Sequence, residues 1–224
     1  MTKKTNAGRK KVVMAFLLLF APAFFLVFFS TRSCSNNFKE LDDFGLAKDY
    51  SFIDINGEKR TSKDFEGDIV LITTLQGTCP DDCAVLFFNL QQAIYQHIYT
   101  NKGKKLKQVR IISFATDGEG NPLEDVTPIA EMLKDRVPNY DPETWVLAKG
   151  DARIVYNFER NNQNLLQEGD EFYGGQAFQE LILLLDKKNH LRMALRGDEE
   201  GMIRRMKEHV ALLQKQYDKE RAKK

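Results

Sequence analysis

Excess charge is what this chain most plainly lacks: 33 Lys and Arg face 32 Asp and Glu, which leaves a net charge of +1. No overall basic field argues for nucleic acid, and no acidic excess argues for a disordered, solvating chain, so a partner must be argued from a local site. Cysteine and histidine are scarce at three each, which allows every one to be weighed singly. No internal repeat and no low-complexity tract is visible in the 224 residues. That length suits one well-packed domain with appendages and does not favour two full domains.

What the chain has in quantity is an apolar run. Val12 to Phe29 carries no charge and holds six phenylalanines, and Lys3, Lys4, Arg9, Lys10 and Lys11 precede it. A membrane span needs about 20 mostly apolar residues, whereas the apolar region of a cleavable signal is about 7–15. Residues 12–30 are therefore expected to form a transmembrane helix or signal anchor, with Pro22 tolerable in lipid. The basic flank assigns residues 1–11 to a cytoplasmic tail and the remainder to the outer face, in the periplasm or an equivalent extracytoplasmic space. A second reading is a lipid-modified Cys34 after cleavage. Arg32 and the lack of a small-residue pattern make that cleavage site poor.

Residues 31–49 are polar and acidic without a clean period and read as a linker, with the domain spanning 50–224. Ser51 to Ile55 alternates, Asn56-Gly57 is a hairpin turn signal, and Glu58 to Thr61 returns. Asp68 to Gln76 contains Ile69-Val70-Leu71-Ile72, the pattern of a strand covered on both faces. Leu86, Leu90, Ala93, Ile94 and Ile98 then recur at helical spacing as far as Tyr99, and Val109 to Ala115 is a second buried strand. Pro128 to Val137 predicts a helix, Trp145 to Ala148 a short strand, Leu181 to Leu185 and Leu191 to Leu195 a hairpin, and Glu199 to Lys219 a closing amphipathic helix. That order predicts an α/β fold, a thioredoxin-like sandwich preceded by the transmembrane helix.

Two of the three cysteines, Cys79 and Cys83, fall where the first core strand hands over to its helix, the edge at which open α/β sheets place reactive groups. Pro80 suits the first helical position, so Cys79 lies near the N-cap, where the helix dipole lowers a thiol pKa. Asp81 and Asp82 oppose that effect. At i, i+4 spacing on a helix the Cβ atoms lie about 5–6 Å apart, and a disulfide wants about 3.5–4.5 Å. A reversible disulfide with a tightened turn and a shared soft ion such as Cu(I) are then equally natural. A pair of ordinary buried cysteines, or a static disulfide, is the plainer reading.

The stretch Asp54, Asn56-Gly57, Asp64-Phe65-Glu66-Gly67, Val70-Leu71-Ile72 and Thr78-Cys79-Pro80-Asp81-Asp82-Cys83 resembles the Sco/SenC family in order and spacing. So do Ile111 to Asp117 and the Leu183 to Asn189 hairpin, and the resemblance covers roughly Tyr50 to the C-terminus. It implies a membrane-tethered thioredoxin fold that binds copper through two cysteines and a histidine, and that assembles the copper centre of cytochrome oxidase or acts as a thiol–disulfide oxidoreductase. Cys79 and Cys83 become the catalytic pair and the implied copper ligands. The implied partner is a thiol-bearing protein such as a respiratory oxidase subunit. A catalytically degenerate binding module is a third reading.

The resemblance stops at the histidine. Counting back without gaps from Asp186, its position reads Phe178, and Gln176 to Glu180 contains no histidine. His97 lies 14 residues beyond Cys83, about 21 Å along a helix, too far to share an ion. His190 and His209 are expected at the surface. Asp117 opens a Gly-rich loop to Asn121 and reads as a family aspartate or a solvated turn. Tyr173-Gly174-Gly175 reads as a flexible approach to the site.

Overall fold

The computed structural model describes residues 6–33, 40–77, 81–103, 106, 108–160, 163–166 and 178–221, and for 6–11, 13, 31–33, 81–83, 160 and 163 the backbone path alone. Two units result, Met1–Lys39 and Glu40–Lys224.

The first unit is one helix, α1 (Asn6–Ser33), of 28 residues with Pro22 inside it. Its Leu and Phe side chains are exposed on every side, from Val12 to Phe29. Phe16 and Phe20, and Phe25 and Phe29, stack at i, i+4 spacing. Among the described residues no helix is long and apolar enough to cross a membrane; the span expected from the sequence is taken up below as a proposal.

In the second unit a small hairpin, β1 (Ser51–Ile53) and β2 (Lys59–Thr61), turns at Gly57, whose φ of +81° suits glycine. The main sheet has five strands in the order β5-β4-β3-β8-β9. Its centre is β3 (Ile69–Gln76), parallel to β4 (Val109–Thr116), which is in turn parallel to β5 (Trp145–Ala148). On the other flank β8 (Leu181–Leu185) runs antiparallel to β3 and pairs with β9 (Leu191–Arg196). The uninterrupted apolar runs of β3 and β8 follow from burial on both faces.

The chain moves outward from β3 to β4 to β5, so two right-handed crossovers place their helices on one face. These are α2 (Asp81–Asn89) continuing into α3 (Gln96–Asn101), and α4 (Thr127–Arg136). The closing helix α6 (Glu200–Arg221) joins them, and Leu71, Leu90, Leu133, Met206 and Val210 form that core. The opposite face buries Tyr50, Phe52, Ile72, Phe114, Tyr156 and Leu183 beneath the N-terminal hairpin and α5 (Arg153–Tyr156).

Three features differ from the sequence expectation. The helix expected to run unbroken to Tyr99 widens into a π turn at Leu90–Tyr95. That extra width buries Leu90, Ile94 and Tyr95 together. It also sets the Tyr95 ring 5.4 Å from Trp145, with its hydroxyl donating to the Asn139 carbonyl at 2.5 Å. Residues 40–49, read as linker, lie on the β8–β9 hairpin: the amides of Phe44 and Ala47 donate to the Leu191 and Asn189 carbonyls, each at 2.9 Å. Lastly, α5 and the hairpin β6 (Glu159–Arg160) with β7 (Gln163–Asn164) are two to four residues per element, too short to leave a period in sequence.

Candidate functional site

β3 delivers the chain to the site. It ends at Gln76, and the Gly77 amide donates to the Thr116 carbonyl at 2.8 Å. A Cβ at Gly77 would come within 2.5 Å of Leu123 Cδ1, so a side chain there would require the leucine tip to shift. Thr78, Cys79 and Pro80 lie outside the described residues, as do Cys34 and Tyr173-Gly174-Gly175. Cys83 is on the first turn of α2, with its backbone described and its side chain not. β3 ends at Gln76 and α2 begins at Asp81, at the carboxyl end of the central strand.

The late segment meets the same edge from the other side. The β3–β8 register pairs Val70 with Leu185 and Ile72 with Leu183. A 3-10 turn, Phe178–Glu180, leads into β8. Thr74 Oγ1 donates to the Gln179 carbonyl at 2.9 Å, while Gln179 Nε2 donates to Thr116 Oγ1 at 3.2 Å and to the Asp117 carbonyl at 2.7 Å. Gln179, which sequence patterning did not single out, thus ties β3, β4 and β8 together at the site edge. Phe178 is 8% exposed, and its ring centroid lies 5.1 Å from that of Tyr156.

Asp117 organises its own loop. One carboxylate oxygen accepts the amides of Glu119 and Asn121 at 2.8 Å each, and the other accepts Asn121 Nδ2 at 2.9 Å. Those Asn121 hydrogen bonds hold the carboxyl below its ordinary pKa. Arg153 closes the loop by donating to Asn121 Oδ1 and to the Glu119 carbonyl. Asp117 therefore serves a turn.

Residues 39–211 match the model of the SCO1/SenC family, which is 173 of the 224 residues. The chain belongs to the SCO1/SenC family. Comparison with curated proteins finds no match. Among solved structures, BsSco, described as a member of the Sco family of cytochrome c oxidase assembly proteins and as carrying a disulfide switch, is similar at a TM-score of 0.54 and 13% identity, over 80% of this chain and 98% of that one. A SCO1/SenC family lipoprotein from Bacillus anthracis str. Ames gives 0.50 and 17%, covering 74% and 95%. Yeast Sco1 with copper bound gives 0.50 and 17%, covering 75% and 89%. At such identities the likeness is one of fold, and the fold is a mixed α/β, thioredoxin-like one.

Within this SCO1/SenC chain the histidines stand apart from the cysteine edge. His97 on α3 is within 3.4 Å of Asn101 Nδ2, and burial followed by the Lys207 charge pushes its pKa down. His190 meets the Asp43 carboxylate at 2.9 Å beyond the β8–β9 turn, and His209 Nδ1 lies 2.6 Å from the Arg205 carbonyl oxygen. Among the described residues no group of three or more His, Cys, Asp or Glu is placed to hold a metal ion. By residue type, Cys79 and Cys83 offer two thiols, a donor set that fits Cu(I).

Proposed function

We propose that this SCO1/SenC chain is an extracytoplasmic thiol–disulfide redox protein acting through Cys79 and Cys83 in the assembly of the cytochrome oxidase copper centre. The observation that carries the reading is the position of the pair in the sequence, between the end of β3 at Gln76 and the first turn of α2. Cys79 attacks one sulfur of a partner disulfide as the thiolate, the other partner sulfur leaves as a thiol after taking a proton, and a mixed disulfide forms. Cys83 then attacks Cys79, releasing the second partner thiol and leaving Cys79–Cys83 oxidised. Two electrons pass from the dithiol to the partner. The natural partner is a thiol-bearing oxidase subunit.

A second reading, carriage of copper as cargo on the two thiolates, is favoured by family membership. Phe178 in place of a nitrogen donor weighs towards the redox reading. For the anchor, we propose that α1 spans the membrane once with its N-terminus in the cytoplasm. The supports are the uncharged run from Val12 to Phe29, its side chains exposed on every side, and the basic residues before it.

Alkylation and mass mapping before and after a mild reductant test the redox reading. The expected result is that the Cys79 and Cys83 thiols appear together. A bridge containing Cys34, or two thiols free under oxidising conditions, would refute it.

A further inference from the structure

Beside Cys83 the domain has a cleft of about 240 Å³, lined chiefly by Ala84, Leu75, Leu86, Phe87, Met132 and Arg136. It lies between α2 and α4, on the face of the sheet that carries both helices, and Ala84 places its mouth one residue from the cysteine. Leu75 and Leu86 make the floor and are 5% exposed, whereas Met132 and Phe87 are half-buried walls packed on the core. Phe87 packs against Trp145 with ring centroids 5.9 Å apart and the planes tilted by 34°. The apolar character continues outside: Val85 and Phe88 on α2 are 44% and 54% exposed, although nothing in the sheet core needs them there.

Among the described residues lining the cleft, Arg136 is the one ionised side chain and none is acidic. Among the described residues its guanidinium has no ion pair, and the Gln76 carboxamide, also at the rim, has no hydrogen-bond partner. An apolar slot with a cation at its lip complements an apolar side chain followed by a carboxylate.

We propose that this cleft selects the redox partner: it binds a polypeptide segment in which a large aliphatic residue and an acidic residue flank the partner's cysteine, the aliphatic side chain filling the slot and the carboxylate pairing with Arg136. The inference rests on the redox reading above, because it names the substrate class of that same site. Binding presents the partner's sulfur at the start of α2, and the discrimination is set by Arg136 and the slot, not by the thiols.

The test uses the full-length chain in nanodiscs, with Cys79→Ser and Cys83→Ser introduced so that no covalent step intervenes. Fluorescent peptides carry Ser in place of the partner cysteine, flanked by Leu and Glu, Leu and Lys, or Ser and Glu. The Leu/Glu peptide binds best; loss of Leu weakens binding by about tenfold, and Glu to Lys by about threefold to fivefold, as for an exposed ion pair. Arg136→Glu, a change at an exposed helix position that leaves the core intact, inverts the Glu against Lys order and leaves the Leu dependence alone. Equal binding of the three peptides, or an order that Arg136→Glu does not change, overturns the proposal. Reduction of the matching peptide disulfides by the unmodified chain separates the two readings. Ordered binding without reduction upholds the cleft and defeats the redox role; reduction at equal rates for all flanks, with unordered binding, defeats the cleft alone.

Discussion

The ring of Phe178 packs 5.1 Å from that of Tyr156 at an interplanar angle of 59°. The Tyr156 hydroxyl donates to the Leu181 carbonyl at 2.7 Å, and full burial pushes its phenol pKa up. The position from which the family resemblance implies a metal-binding imidazole is thus part of an aromatic core under the sheet edge. Phe178→His should tighten Cu(I) binding by the Cys79–Cys83 pair, read by titration of reduced protein against a competing chelator. It should also cost about 1–3 kcal/mol of stability, because an imidazole replaces a ring that made no polar demand. Tight Cu(II) binding by the unmodified chain, with a nitrogen ligand seen by spectroscopy, would show that the ligand lies elsewhere and that copper carriage should lead.

Gly120 is what allows the Phe178 ring its place. Its φ is +81°, and a Cβ there would lie 2.6 Å from Phe178 Cζ. Gly120→Ala should therefore destabilise the fold by about 1–3 kcal/mol through the left-handed backbone and the forced shift of the ring. Thermal unfolding checks it, with roughly 2–4 °C lost per kcal/mol for a domain of this size. An unchanged Tm would mean that the loop moves freely and that Phe178 is not held by it.

The large elements were legible because their causes are local. Ile69-Val70-Leu71-Ile72 and Leu181 to Leu185 announce strands covered on both faces, and Asn56-Gly57 announces its turn. The family likeness rested on the same residues and on Cys79 to Cys83, and residues 39–211 match the family. What escaped depends on distant partners. The π turn at Leu90–Tyr95 answers to Trp145 and Asn139, the docking of 40–49 to hairpin carbonyls, and the role of Gln179 to strands far away in sequence. Gly120 was seen as part of a Gly-rich loop, but its reason, the Phe178 ring, lies 58 residues on.

A pH dependence follows from Asp141, which joins the α3 end to the loop before β5. Burial raises its pKa, but hydrogen bonds from Lys102, Thr144 and the Glu143 amide, together with the Lys102 charge, outweigh that and hold it below the ordinary value. The Thr144 hydroxyl is 2.7 Å away and the Glu143 amide 3.0 Å, and Lys102 forms an ion pair with it. A carboxyl lowered on folding contributes stability that is fully present above its unfolded pKa of about 3.9, and loses it as pH falls through the lower folded value. Asp141→Asn should thus be destabilising near neutral pH by about 1–3 kcal/mol. Its deficit against the unmodified chain should shrink below about pH 4. Denaturant melts across that range decide it, and a deficit constant with pH would mean that the carboxylate charge does not matter.

The anchor makes the last prediction. If α1 spans the membrane, its basic flank Lys3, Lys4, Arg9, Lys10 and Lys11 stays inside and residues from Glu40 onward lie outside. Protease added to the intact outer face should then digest the domain while peptides from α1 remain in the membrane fraction. The lipid-anchored alternative gives the same exposure of the domain, so exposure alone does not separate the two. The mass of the purified chain does, since a spanning α1 keeps residues 6–33 joined to the domain, whereas cleavage before Cys34 removes them and adds acyl mass to the cysteine. Full protection of the domain would overturn the orientation, and an acylated Cys34 at the N-terminus would replace the helix as the anchor.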